Sequence, residues 1–184
     1  MSEGLVEMVV ESVRVHMLSS QHVVILKQSD RDRYLPIWIG PWEANAIAMR
    51  LQGLSPERPL THDLFATILE ELGITIRQVV IADLADETFH ARLFLEINGR
   101  SIEVDSRPSD ALALAVRAGV RIFAAESVLT RAAVEPDSRS REALELTGEL
   151  GSAPVDPRLD VFRDFVNSLG VDAEGEHREG PAPE

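Results

Sequence analysis

The chain of 184 residues carries 31 acidic and 18 basic side chains, a formal net charge of −13, with 45% hydrophobic residues and no cysteine. That length and apolar content suit one core-forming domain with an appendage, and the charge argues against generic nucleic-acid binding, which draws on Lys and Arg. Without thiolates any metal must be held by carboxylates or histidines, which favours Mg²⁺ or Mn²⁺, and with no stretch of membrane-span length and no basic-then-apolar leader the expectation is a cytoplasmic protein without membrane association.

Leu5 to His16 and His22 to Leu26 are rich in Val and Ile and read as two strands. After the polar turn Ser29-Asp30-Arg31-Asp32, Tyr34 to Ile39 reads as a third, and Pro36 assigns it to an edge or a bulge because proline removes a ladder donor. Gly40-Pro41 breaks this strand and opens a helix to about Gln52, with Glu43 in its first turn. Gly53 to Leu60 is a loop, and Thr61 is the expected cap of a second helix whose apolar face is Leu64, Ile68, Leu69 and Leu72 and whose end is Gly73.

Ile74 to Ala82, Thr88 to Ile97 and Ser101 to Val104 read as three more strands, separated by an Asp83–Glu87 turn and by the hairpin dipeptide Asn98-Gly99. Pro108 fits the first position of a buried helix, Ala111-Leu112-Ala113-Leu114-Ala115-Val116, that ends at Gly119. It also keeps Arg107 out of helical geometry and sets Asp110 in the first turn, where a carboxylate faces free N–H groups. A short Arg121–Phe123 segment and a helix near Glu126–Arg131 follow.

The expected fold is therefore α+β, built as two β-rich repeats of about three strands and two helices each within one domain, residues 1–133. A shift of 67 residues lays Leu35, Ile37, Pro41, Glu43 and Ala44 on Ile102, Val104, Pro108, Asp110 and Ala111, as an internal duplication would, with chance similarity of two strand–Pro–helix corners as the alternative. Residues 134–156 read as a charged linker with weak helical character, 157–170 as an amphipathic C-terminal helix with the stripe Phe162, Phe165, Val166 and Leu169, and 171–184 as a disordered acidic tail. Residues 134–184 hold 13 acidic against 5 basic side chains, so more than half of the negative excess sits in the last quarter of the chain.

The stretches Arg33-Tyr34-Leu35-Pro36-Ile37-Trp38-Ile39-Gly40-Pro41-Trp42-Glu43-Ala44, Arg58-Pro59-Leu60-Thr61-His62-Asp63-Leu64 and Asp105-Ser106-Arg107-Pro108-Ser109-Asp110-Ala111 resemble, in order and spacing, the bifunctional nuclease domain family, and the chain looks like a bacterial member. The resemblance covers about residues 5–133. It implies an α+β domain of two β-rich repeats, frequent assembly as a homodimer, and a nuclease acting on both RNA and DNA. It carries over no catalytic mechanism.

Phosphodiester hydrolysis needs an activated water, charge stabilisation on the phosphate and help for the leaving oxygen. Asp105, Asp110, Glu43 and Asp63 are the candidate ligands for Mg²⁺ or Mn²⁺. Asp105, Arg107 and Asp110, with His62 as general base, form the candidate catalytic set. Arg33, Tyr34 and Trp38 are candidate substrate contacts, by phosphate grip and base stacking. Each has a bland counterpart: Glu43, Asp63 and Asp110 suit first helical turns, and strand aromatics usually belong to a core. A non-enzymatic binding or regulatory module, acting through a dimer surface or the C-terminal helix, is the alternative to a nuclease.

Overall fold

The computed structural model describes residues 4–16 and 21–135. Strands β1 (Leu5–His16), β2 (Gln21–Gln28) and β3 (Tyr34–Ile39) are followed by helices α1 (Pro41–Leu51) and α2 (Thr61–Glu71). Strands β4 (Ile74–Ala85), β5 (Thr88–Ile97) and β6 (Arg100–Ser106), helix α3 (Pro108–Ala118), strand β7 (Arg121–Ala125) and helix α4 (Glu126–Ala132) complete the order. The mixed α+β class is as expected. These elements fall in one compact unit, Met1–Arg141; a second, Glu142–Glu184, lies outside the described residues, as do the expected C-terminal helix, the tail and all of the linker beyond Glu135.

The seven strands form one sheet in the order β3-β2-β1-β7-β4-β5-β6. Every pairing is antiparallel except β4 with β7. Two three-stranded meanders are thus joined by β7, which the sequence reading treats only as a short segment. Its five residues are too few to show a period, yet Ile122 and Ala124 are buried at the centre of the sheet. The expected count of three strands in the second half becomes four.

Proline and glycine act where the sequence puts them. Pro36 lies on β3, an edge strand, and Asn98-Gly99 turns with both φ angles positive, 50° and 75°. The β4–β5 turn is tighter than the expected Asp83–Glu87: β4 runs on to Ala85, and Asp86 and Glu87 alone make the turn, at φ 47° and 61°. Thr61 is the first residue of α2 rather than its cap; Leu60 holds the cap position, and the Asp63 carboxylate accepts from its backbone N–H at 2.9 Å.

The core lies between the sheet and the helices. In α3, Ala111 through Ala115 are all buried, three of them alanines, and α1, with buried Ala44, Ala46 and Ile47, packs directly against it. The expected apolar face of α2 is not mainly core: Leu69 is buried, but Leu64, Ile68 and Leu72 are exposed. The helix rests on α3 and β4 by one narrow stripe, since α1 and α3 already cover the sheet beside it.

Candidate active site

Strands β3 and β6 occupy opposite edges of the sheet, and each is followed by a single residue and then a proline, which keeps that residue out of helical geometry. Gly40 and Arg107 take extended backbone at these corners, and Pro41 and Pro108 start α1 and α3. The two helix starts meet. The Arg107 guanidinium donates from Nε to Asp110 Oδ2 at 2.8 Å and from Nη2 to Asp110 Oδ1 at 3.1 Å; Nη2 also reaches Glu43 Oε1 at 2.7 Å. From its first turn, α2 presents His62, whose Nε2 lies 3.1 Å from Asp110 Oδ1.

Four ionisable groups from three separate segments thus form one network. Glu43 and His62 are its shielded members, with side chains 16% and 15% exposed, whereas the Arg107 side chain is 67% exposed. Partial burial pushes the Asp110 carboxyl upward, but hydrogen bonds from Arg107 and then His62 outweigh it, holding the carboxyl below its ordinary value. The same carboxylates raise the pKa of Arg107, so it stays charged.

Gly40 has a role that its turn chemistry does not reveal. A Cβ built there would collide with Glu43 Oε2, while its φ of −71° is open to any residue. The glycine is required for the space that the Glu43 carboxylate occupies beside Arg107, not for its backbone.

The remaining sequence candidates lie apart from this network. Asp105 is in register with Arg92, and Arg92 with Val80, so it stands on the face of the sheet opposite to Leu93; its ion partner is Arg92 at 3.8 Å. Asp63 accepts from Arg117 Nε at 2.7 Å as well as from Leu60, and these bonds overcome the upward push of burial to keep its carboxyl below the ordinary range. Arg33 is held by Glu126 at 2.7 Å, and the Tyr34 ring lies 5.6 Å from Lys27 Nζ. Among the described residues no three His, Asp or Glu side chains converge as a metal-ligand set.

Beside Arg107 an open groove of about 580 Å³ is lined by Trp38, Pro41, Phe89, Pro108 and His22. Of the aromatic candidates Trp38 borders it, and Phe89 and His22 were not expected there. Neither stands in a motif: His22 comes in through the pairing of β2 with Ile39 on β3, and Phe89 through the approach of the β4–β5 turn to the two corners.

A sequence profile described as the bifunctional nuclease domain matches residues 24–137. An uncharacterized protein of Mycobacterium tuberculosis strain H37Rv is 40% identical over 167 residues, covering 90% of this chain and 96% of that protein. Bifunctional nuclease 1 of Oryza sativa subsp. japonica and the bifunctional nuclease of Oryza minuta are each 27% identical over 114 residues, covering 60% of this chain and 34% of theirs. The chain therefore spans about a third of the plant proteins.

Proposed function

The chain belongs to the bifunctional nuclease domain family, and from that premise we propose that it is a nuclease hydrolysing phosphodiester bonds of RNA and DNA at the Glu43–His62–Arg107–Asp110 network. The observation that carries this reading is the geometry around Arg107. These contacts engage Nε and Nη2 of an exposed guanidinium and place a His–carboxylate pair behind it. Among the described residues the contacts leave Nη1 to a phosphate oxygen, which a planar guanidinium grips as it does a carboxylate. In this reading His62 takes a proton from the attacking water, with Asp110 orienting its ring and stabilising the imidazolium. Arg107 offsets the charge that develops on the phosphate oxygens.

A divalent metal is part of the proposal. Glu43 and Asp110 are hard oxygen donors already turned toward one cationic group, and Mg²⁺ commonly takes one or two protein carboxylates and completes its shell with water and substrate phosphate. Bound there, Mg²⁺ or Mn²⁺ supplies Lewis-acid stabilisation of the phosphate. Asp63 and Asp105, engaged by Arg117 and Arg92, are secondary in this reading.

The test is cleavage of RNA and DNA oligonucleotides by the purified chain with Mg²⁺, Mn²⁺ or chelator, alongside Asp110→Asn and Arg107→Ala. We expect metal-dependent cleavage that falls by about 10²–10⁴-fold in each folded variant, the range for losing a proton-transfer or charge-stabilising group. Undiminished cleavage in both would move the site elsewhere. A cytoplasmic homodimer completes the proposal. The exposed row Leu64, Phe65 and Ile68 of α2, continued by Leu72 at its C-cap, favours a second copy, and light scattering on the same preparation should give twice the chain mass.

A further inference from the structure

The network handles a phosphate but has nothing that engages a base. The groove beside it does. Arg107 belongs to both: its side chain closes the ion network with Glu43 and Asp110 and also borders the groove. The rest of the lining sets the aromatic and proline rings of Trp38, Phe89, Pro41 and Pro108 among polar side chains, Glu87 and His22 included. Trp38 is 46% exposed, while Phe89 is partly buried and packed against the core, so one wall is available and the other is fixed in place. The volume of about 580 Å³ lies within the ~300–1,000 Å³ of small-ligand clefts.

Charge decides what enters. A chain of net charge −13 gains little from the long-range attraction by which most proteins hold nucleic acid, so affinity here must come from short-range contact. Stacking of a base on an aromatic ring is such a contact, and it needs no net charge. A duplex keeps its base faces inside and offers only edges and phosphates, whereas an unpaired strand presents a whole face.

We propose that this groove is a nucleobase subsite, making single-stranded RNA or DNA the substrate, with one unstacked base held between Trp38 and Phe89 next to the phosphate on Arg107. The inference rests on the nuclease reading above, and its test separates the two. Binding of the full chain, in chelator, is measured by fluorescence anisotropy to a labelled single-stranded RNA, the same sequence in DNA, that DNA with abasic residues throughout, and its blunt duplex. Cleavage of the same oligonucleotides is followed in Mg²⁺ and Mn²⁺.

At least one of the base-bearing single strands should bind about 5- to 150-fold tighter than the abasic strand and the duplex, the range for one stacked base. Trp38→Ala should remove that advantage while leaving abasic affinity as it was, and Trp42→Ala, outside the groove, should keep it. Equal binding of abasic and base-bearing strands, or tighter binding of the duplex, overturns the subsite even if cleavage occurs. So does loss of the advantage in Trp42→Ala with retention in Trp38→Ala. A single-strand preference without cleavage of any substrate leaves the subsite standing and defeats the nuclease reading.

Discussion

Gly40 and Arg107 occupy equivalent corners and have opposite duties. The glycine leaves space and the arginine fills it with charge, so the Glu43 carboxylate can lie against the guanidinium. Gly40→Ala should therefore separate folding from activity. Its backbone suits alanine, and the group in the way is the end of a flexible side chain, so thermal unfolding should change by no more than about 1 kcal/mol. Cleavage should fall by about 10–100-fold, because Glu43 must turn away from Arg107. Full activity in a folded Gly40→Ala protein would show that the position of Glu43 is not used. His62 and Asp110 illustrate what residue-level reading leaves open: Asp110 suits a first helical turn alone, and only its 3.1 Å contact with His62 across 48 residues makes them a pair.

At the scale of elements, Arg117 ties the three helices that carry the network. Its side chain is 7% exposed; from α3 it donates to Asp63 on α2, to the Ala46 carbonyl on α1 and to its own Ala113 carbonyl. Asp63 is thus both the N-terminal acceptor of α2 and the counter-ion of a buried cation. Asp63→Asn should lower stability by about 1–3 kcal/mol near neutral pH, the cost of leaving a buried charged donor poorly paired.

The pH dependence has a definite sign. The folded carboxyl titrates below its ordinary value of 3.8, so its contribution is complete above that value and disappears as pH falls through the lower folded value. The gap between wild-type and Asp63→Asn melting temperatures should therefore narrow in acid below the ordinary Asp range. A gap that stays constant into strong acid would show that the carboxylate charge contributes nothing. Proline, glycine and the apolar run of α3 made the corners readable, since each acts on its own few residues. The exposed face of α2 was not readable, because an apolar stripe records the capacity to be buried and not what is left uncovered.

For the whole molecule the charge is unevenly shared: residues 134–184 contain 13 acidic and 5 basic side chains, and residues 1–133 contain 18 and 13. Like charge weakens the approach of phosphate at low ionic strength and is screened at high. Removing residues 171–184 should strengthen nucleic-acid binding in low salt and have little effect at physiological salt. Equal affinity with and without them in low salt would show that this segment does not repel the ligand.

The sequence by itself determined the α+β class, the two strand–Pro–helix corners, the family and the residue types available for chemistry, because periodicity, proline geometry and charge are local properties. Tertiary structure decided which of those residues meet. The corners follow opposite edge strands of a seven-stranded sheet whose central strand is only five residues long, and the packing of α1 on α3 brings Glu43 to Arg107 across 64 positions. Asp105 stays on β6 beside Arg92, whereas the chain leaves that strand after Ser106 and turns at Arg107 into α3, which carries Arg107 and Asp110 toward the other helix starts. Proximity in sequence grouped Asp105 with Arg107 and Asp110; the strand-to-helix corner between them separates it from the pair.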